Sequence, residues 1–202
     1  PDSHDPGRVI AHLQASGLGL PDRDYYLKEE PRFQEAREKY RVHVAHVIEL
    51  GGKSRAESRR MAEAVFRMER QLALGTLDNV ARRDPKATDH KTTFIELTNL
   101  APNFDWPGYF AAAKVPTAAL NVQQPEFLRA MDRLFLESPL ASWKAYLRWH
   151  LVRSAAPHLS AAFVQERFAF EEQYLGGAKE MKPRWKRCVE STDQLLGEAL
   201  GR

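Results

Sequence analysis

The residues best suited to chemistry in this chain of 202 residues are its seven histidines and its single cysteine. The histidines are His4, His12, His43, His46, His90, His150 and His158. None is followed by glutamate in the HExxH arrangement, which places two zinc ligands and a general base on one helical face. His43 and His46 lie three residues apart, so both could bind a metal together with a carboxylate from elsewhere. We favour a solvated or partly buried helix face, because no third ligand lies nearby in the sequence.

Cys188 is a second candidate, because a thiolate held beside a basic group is a nucleophile. Arg187 is its neighbour, but a histidine would also have to approach the sulfur in space. A lone cysteine on an apolar helical stripe is more often a packing residue, and we expect packing here. A single cysteine also excludes a disulfide within the chain, so packing alone must stabilise the fold.

A basic cluster near the end of the chain is the best candidate for contacts with phosphate groups. Four basic residues surround an aromatic ring: Lys182, Arg184, Lys186 and Arg187 around Trp185. Such a cluster could contact phosphates while the ring stacks on a base. Glu180 and Glu190 flank it, however, and the net charge of the whole chain is only +3. We therefore expect a solvated helix face and no nucleic-acid partner.

The elements that would have to position these groups are helices. With 43% hydrophobic residues the chain can bury an ordinary core, and its apolar residues recur at steps of three and four. Two such stripes are Phe33, Tyr40, Val44, Val47 and Ile48, and then Met61, Val65, Met68 and Leu72. In the last helical pattern we expect Trp185, Cys188, Val189, Leu195 and Leu196 to point inward. The pattern predicts an all-α fold of seven or eight packed helices, without the repeats of a solenoid.

Local signals set the ends of these helices. Proline at the first turn predicts helix starts at Pro31, Pro125, Pro139 and Pro183. Capping boxes are predicted at Ser54 with Glu57 and at Thr93 with Glu96, and further caps at Asp105 and Ser160. Gly51–Gly52 and Gly176–Gly177 predict helix ends. Only Leu120–Val122 is a plausible strand.

The chain divides, on this reading, into a turn-rich first segment over residues 1–30 and a helical domain over residues 31–202. A weak internal boundary is expected in the loop 76–92, which Asp84–Pro85 breaks. No apolar run approaches the length needed to cross a bilayer. The first residues lack an initiator methionine and a signal peptide, so we expect the chain to be part of a longer protein.

A long motif, Gly17–Leu27 (GLGLPDRDYYL), resembles the N-terminal signature of neprilysin-type zinc metallopeptidases. Further stretches resemble that family in the same order, with the bacterial, peptide-cleaving branch most similar. They are 82–85, 100–102, 104–106, 143–149, Phe168, Phe170, 175–177, 183–185, 187–188 and 196–201. The similarity covers essentially the whole chain.

This resemblance implies a two-domain endopeptidase, in which a catalytic domain with HExxH and ExxxD faces a smaller helical domain across a closed cavity. Neither motif occurs here, so the chain resembles the smaller domain, a lid or cavity wall that limits access of substrates. The resemblance implies zinc in the parent enzyme, bound beyond Arg202, and a periplasmic or secreted location. It assigns no catalytic, metal-binding or substrate-binding residue to this segment. In secreted animal members the cysteine matching Cys188 resembles a half-cystine paired outside this region.

Two alternatives remain open at this point. The chain could be an independent helical interaction module that binds a partner protein or nucleic acid through the cluster around Trp185. The Gly17–Leu27 motif could contact substrate, although a structural role is favoured. In that role the glycines and Pro21 shape a turn, Asp22 or Asp24 accepts backbone N–H groups, and Tyr25 and Tyr26 pack with their polar tips exposed.

Overall fold

The computed structural model describes residues 2, 5, 7–115 and 119–201, with the Leu200 side chain left out. Its elements in chain order are β1 (Ala11–Leu13), α1 (Asp24–Leu27), α2 (Pro31–Leu50), α3 (Arg55–Leu74), a 3-10 turn (Ala81–Arg83), α4 (Pro85–Thr88), β2 (Lys91–Thr92), α5 (Phe94–Leu100), α6 (Trp106–Ala113), β3 (Leu120–Val122), α7 (Pro125–Glu137), α8 (Leu140–Ala155), a 3-10 turn (Ala156–His158), α9 (Ala161–Arg167), a π-helical segment (Phe168–Leu175) and α10 (Arg184–Leu200). Eight of the ten α-helices in the described part have seven or more residues, so the predicted all-α class is confirmed.

The chain forms two compact units, Pro1–Ala155 and Ala156–Arg202. The loop 76–92, where we expected a weak boundary, lies inside the first unit. Among the described residues, no helix combines the length and the apolar character that a membrane span requires.

Helix α3 is the centre of the first unit, because it packs against α2, α7 and α8. The two predicted apolar stripes face each other across the α2–α3 pair. All five residues of the α2 stripe are buried, as are Val65, Met68 and Leu72 on α3. The periodicity therefore predicted the packed faces of both helices.

A small sheet ties distant parts of the first unit together. Strand β3 is central, with β1 parallel to it on one side and β2 antiparallel on the other. The Asn121 side chain accepts a hydrogen bond from the His90 N–H at 2.8 Å and donates to the Thr88 carbonyl at 3.1 Å. The strand predicted at Leu120–Val122 is confirmed, and it has two partners that the sequence pattern did not indicate.

The predicted loop 76–92 contains more regular structure than expected. Asp84–Pro85 starts α4, because the Asp84 carboxylate accepts the Lys86 N–H at 2.9 Å and proline occupies the first turn. The same dipeptide that indicated a break is therefore a helix start.

The predicted helix signals differ in how many of their hydrogen bonds form. Thr93 and Glu96 make a complete capping box. Ser54 accepts the Glu57 N–H, whereas the Glu57 carboxylate pairs with Lys53 at 2.8 Å, so only half of that box forms. Asp105 caps α6 through the Gly108 N–H. Ser160 occupies the N-cap of α9 without a side-chain hydrogen bond.

In the second unit, α9 continues directly into the π-helical segment, and the turn at Gly176–Gly177 follows it. Helix α10 departs from our expectation. Trp185, Cys188, Val189, Leu195 and Leu196 were predicted to point inward, but all five side chains are exposed. The amphipathic pattern identified the helix correctly, but periodicity cannot say whether a covering surface is present.

Gly75 provides a test of the contact between α3 and α7. A Cβ atom at this position would lie 2.5 Å from the Glu126 carbonyl oxygen and 2.9 Å from the Phe127 Cα atom. Because both are backbone atoms that cannot rotate away, we expect Gly75→Ala to lower the free energy of unfolding by about 1–3 kcal/mol. Urea denaturation measures it. Gly7→Ala is the control, since its nearest contact is an ordinary 3.4 Å. Equal midpoints for the two variants would contradict the close approach.

Candidate functional site

The Gly17–Leu27 motif is anchored to a buried carboxylate, that of Glu69 on α3. We define the Glu69 hub as this carboxylate with Tyr26, Tyr40, Trp149 and His150, which come from α1, α2 and α8. The Tyr26 hydroxyl lies 2.8 Å from Oε2 of Glu69, and the Tyr40 hydroxyl lies 2.8 and 2.9 Å from its two oxygens. Glu69 is 0% exposed, so these contacts replace the water that a carboxylate otherwise requires.

The hydrogen bonds of the hub have a fixed direction. Tyr26 accepts the backbone N–H groups of Gly19 and Leu20 at 3.0 and 2.8 Å. Tyr40 accepts the indole N–H of Trp149 at 2.9 Å. Since each phenol has a single proton, both tyrosines must donate it to Glu69. The carboxylate is therefore the common acceptor for a network that reaches the motif's backbone.

His150 completes the hub at its edge. Its Nε2 atom lies 3.1 Å from Oε1 of Glu69, a distance that suits an ion pair, although the two groups are not aligned for a hydrogen bond. The imidazole ring stands 4.4 Å from the Tyr146 ring, measured between centroids. The Tyr146 hydroxyl in turn donates to the Gly17 carbonyl at 2.8 Å. A second contact thus connects α8 with the motif.

The buried phenols of this region resist ionisation. Burial, followed by the charge of Glu69, raises the pKa of Tyr26 and of Tyr40 well above the ordinary value of 10.0. The same two causes raise the pKa of Tyr146. All three hydroxyls therefore remain protonated donors at neutral pH, which is the state that the hub requires.

The glycines of the motif make room for the hub. A Cβ atom at Gly19 would overlap the Tyr40 hydroxyl, so no larger residue fits unless α2 moves. Gly17 has a φ of +88°, in the left-handed region that favours glycine. The structure thus explains both glycines by conformation and space.

The charged residues Asp22 and Arg23 of the motif form hydrogen bonds with neighbouring loops. Asp22 accepts the Asp24 N–H and the Asn79 amide, both at 2.8 Å. Arg23 donates to the Thr76 carbonyl at 2.6 Å. These bonds confirm the predicted role of Asp22 in the turn. The expectation that both tyrosines expose their polar tips is wrong for Tyr26, whose hydroxyl is buried because it has three partners within the protein.

Glu69 was not among the residues that the sequence indicated, and His150 was named there only as one of the seven histidines, without a partner. A signal for Glu69 was present, because it lies four residues after Val65 and three before Leu72, on the apolar stripe of α3. A carboxylate at such a position must be paired. The hub combines a carboxylate, a histidine and phenols, but its carboxylate and both phenols are buried and bond one another. Its role in this structure is to hold the helices together.

The described residues of this chain do not fit a zinc site. On α2, His43 is buried with its ring 5.5 Å from Trp149, whereas His46 is exposed, so the predicted pair does not share an environment. In the described part of the chain, no group of three or more histidine, cysteine, aspartate or glutamate residues is placed to hold a metal. His4 lies outside the described residues.

The remaining candidates are on α10 and just before it. The Cys188 thiol is exposed, and so the expectation that it packs in a core is wrong. In the cluster around Trp185, Lys182 pairs with Glu190, and Lys186 lies 5.5 Å from the centre of the Trp185 ring. Both basic groups thus have partners within this segment, and nothing here favours the alternative of a nucleic-acid or partner-binding module.

Replacing Tyr26 tests the hub directly. Tyr26→Phe keeps the ring but leaves two buried N–H groups and one carboxylate oxygen short of a partner. We expect it to lower the free energy of unfolding by about 2–4 kcal/mol. Tyr25→Phe, one residue earlier, is the matched control and should change stability by less than about 0.5 kcal/mol. Similar losses in urea denaturation of the two variants would contradict the hub.

The raised pKa values predict a loss of stability in alkali. In the unfolded chain Tyr26, Tyr40 and Tyr146 ionise near 10.0, but in the folded chain they do so only at higher pH. Their contribution to stability is therefore complete below pH 10 and decreases as the pH rises beyond it. Phenolate absorbance should rise in two steps, the second together with the loss of helical circular dichroism. If the phenolate absorbance rose in a single step while the helical circular dichroism stayed unchanged, the prediction would be contradicted.

Comparison with known proteins agrees with the motif's resemblance. The family model described as Peptidase family M13 matches residues 1–202. Endothelin-converting enzyme 1 of Rattus norvegicus is 32% identical over 208 residues, which is 99% of this chain and 27% of that protein. Neprilysin-3 of Drosophila melanogaster is 25% identical over 212 residues, with the same coverage. The chain thus spans about a quarter of the length of these relatives.

Among solved structures, the zinc metalloprotease Zmp1 of Mycobacterium tuberculosis matches with a TM-score of 0.88 and 32% identity. The match covers 95% of this chain and 30% of that protein. The family model over the whole chain, the relatives and this structural similarity lead to one conclusion. The chain belongs to peptidase family M13, of which it is an N-terminal segment of the neprilysin type.

Proposed function

We propose that this chain is the helical lid, or cavity wall, of a zinc metalloendopeptidase that cleaves short peptides. In this proposal the wall limits which substrates reach the active site and contributes no reactive group. The observation that carries the proposal is the structural match to Zmp1, a zinc metalloprotease, over 95% of this chain.

A wall must keep its shape while substrates enter and leave. Zmp1 has been solved in an open state and in complex with an inhibitor, which this chain matches with a TM-score of 0.88, and in a partially open state, which it matches with a TM-score of 0.81. In all three structures the corresponding segment is similar in fold to this chain. By analogy, we infer that the present chain acts as a preformed wall and not as a flexible flap.

The Glu69 hub supplies a physical basis for such stiffness. Hydrogen bonds from Tyr26 and Tyr40 connect α1 and α2 to the buried Glu69 carboxylate of α3. Helix α8 joins them through the Trp149 indole, which donates to the Tyr40 hydroxyl, and through His150, which lies at ion-pair distance from Glu69. Breaking any of these bonds would leave a buried polar group unpaired, so the helices resist separation. The motif that carries the family resemblance thus contributes rigidity in this proposal.

In this proposal, the zinc site and the catalytic domain belong to the rest of the parent protein. We propose that zinc is bound by a catalytic domain of the parent, that this domain is the partner of the wall, and that peptides are the parent's substrates. We also propose a periplasmic or secreted location for the parent. Only the similarity to the relatives supports this location.

The proposal predicts a steric limit on substrates of the parent enzyme. One cleavable sequence is presented in two forms, as a short fluorogenic peptide and in a surface loop of a folded domain. We expect kcat/KM for the loop to be lower by about tenfold or more, because the wall excludes the folded domain. An open-cleft peptidase that cleaves both forms equally is the control for accessibility of the loop.

Equal cleavage of both forms by the parent would contradict a steric wall. The 202-residue chain incubated with zinc and the short peptide is a second control, and it should give no turnover. Zinc-dependent cleavage by the chain itself would place the chemistry in this segment and overturn the proposal.

A further inference from the structure

Helix α10 has an apolar face that is exposed among the described residues. Four large side chains on it are exposed: Trp185 by 64%, Val189 by 60%, Leu195 by 71% and Leu196 by 52%. With 3.6 residues per turn, steps of four, six and one place them on one side of the helix. They form what we define as the α10 apolar face.

This face differs from the scattered apolar residues of an ordinary surface. A helix of 17 residues is marginally stable alone, and amphipathic helices gain most of their stability by burying the apolar side. Helix α3 has a similar stripe, and there Val65, Met68 and Leu72 are buried. On α10 the same kind of pattern is exposed in the described part of the chain, which indicates a docking site.

We infer that the α10 apolar face docks onto the part of the parent polypeptide outside this segment, an inference that rests on the proposed function. In the relatives, the matched segment is 27% to 30% of the protein, so most of the polypeptide lies outside it. A surface in the same polypeptide is present at an effective concentration of up to about millimolar. A second copy, at micromolar concentration, competes poorly with it.

The opposite side of α10 provides the contrast that a one-sided contact requires. Gln194 lies nine residues after Trp185, which is two and a half turns, so it faces away from the apolar face. Its side chain is exposed, as are those of Glu190 and Glu198 on the same side. The polar side is suited to water, and the apolar side is suited to a protein surface.

Cysteine labelling of the full-length parent tests the inference. In a Cys188→Ser background, single cysteines are introduced as Val189→Cys on the apolar face and Gln194→Cys on the polar side. Both variants are alkylated with N-ethylmaleimide, natively and in urea, and the labelled peptides are quantified by mass spectrometry. We expect native labelling of Val189→Cys to be slower by about tenfold or more, and the rates to be equal in urea.

Each other outcome overturns the inference. Equal native rates, whether both are fast or both slow, would show that α10 is not docked by one face. Protection of Val189→Cys that is lost on dilution would assign the face to a second copy. Leu196→Cys repeats the measurement, so a folding defect in one variant does not decide the result. Because labelling does not depend on cleavage, a protected face in a parent that cleaves no peptide would overturn the proposed function alone.

Discussion

Burial of the Glu69 carboxylate is the constraint on which the first unit depends. A carboxylate without water is costly by several kcal/mol unless its oxygens are paired, and here two phenols and an imidazole surround it. These groups come from three helices besides α3 itself. The helices must therefore assemble together, because a partial assembly would leave the carboxylate buried and short of partners.

The same constraint explains the structural role of a motif rich in glycine, charge and tyrosine. Tyr26 uses its hydroxyl to bind the backbone at Gly19 and Leu20, and its proton to bind Glu69. Asp22 and Arg23 bind neighbouring loops. With their polar atoms engaged in this way, these side chains position the segment against the helices. The motif that resembles the family's signature thus supports the packing of the helices here.

The two units differ in how much of their apolar surface is buried. In the first, α2 and α3 bury the stripes that the sequence predicted. In the second, α10 carries an equally regular stripe that remains exposed. A segment that spans about a quarter of its relatives is expected to have such a surface, since parts of its packing belong to the remaining polypeptide. The family assignment and the exposed face are in this sense consistent.

The helical class, the packed faces of α2 and α3, most helix starts and the family could be predicted from the residues alone, because these depend on neighbours in the chain or on an ordered motif. It indicated Leu120–Val122 as a strand but neither of its partners, which are distant in sequence. Only the tertiary structure decided that Glu69 and His150 meet, that the Tyr26 hydroxyl is buried and that α10 is uncovered. Periodicity gives the direction of a side chain relative to its own helix, whereas burial depends on which other surface arrives there.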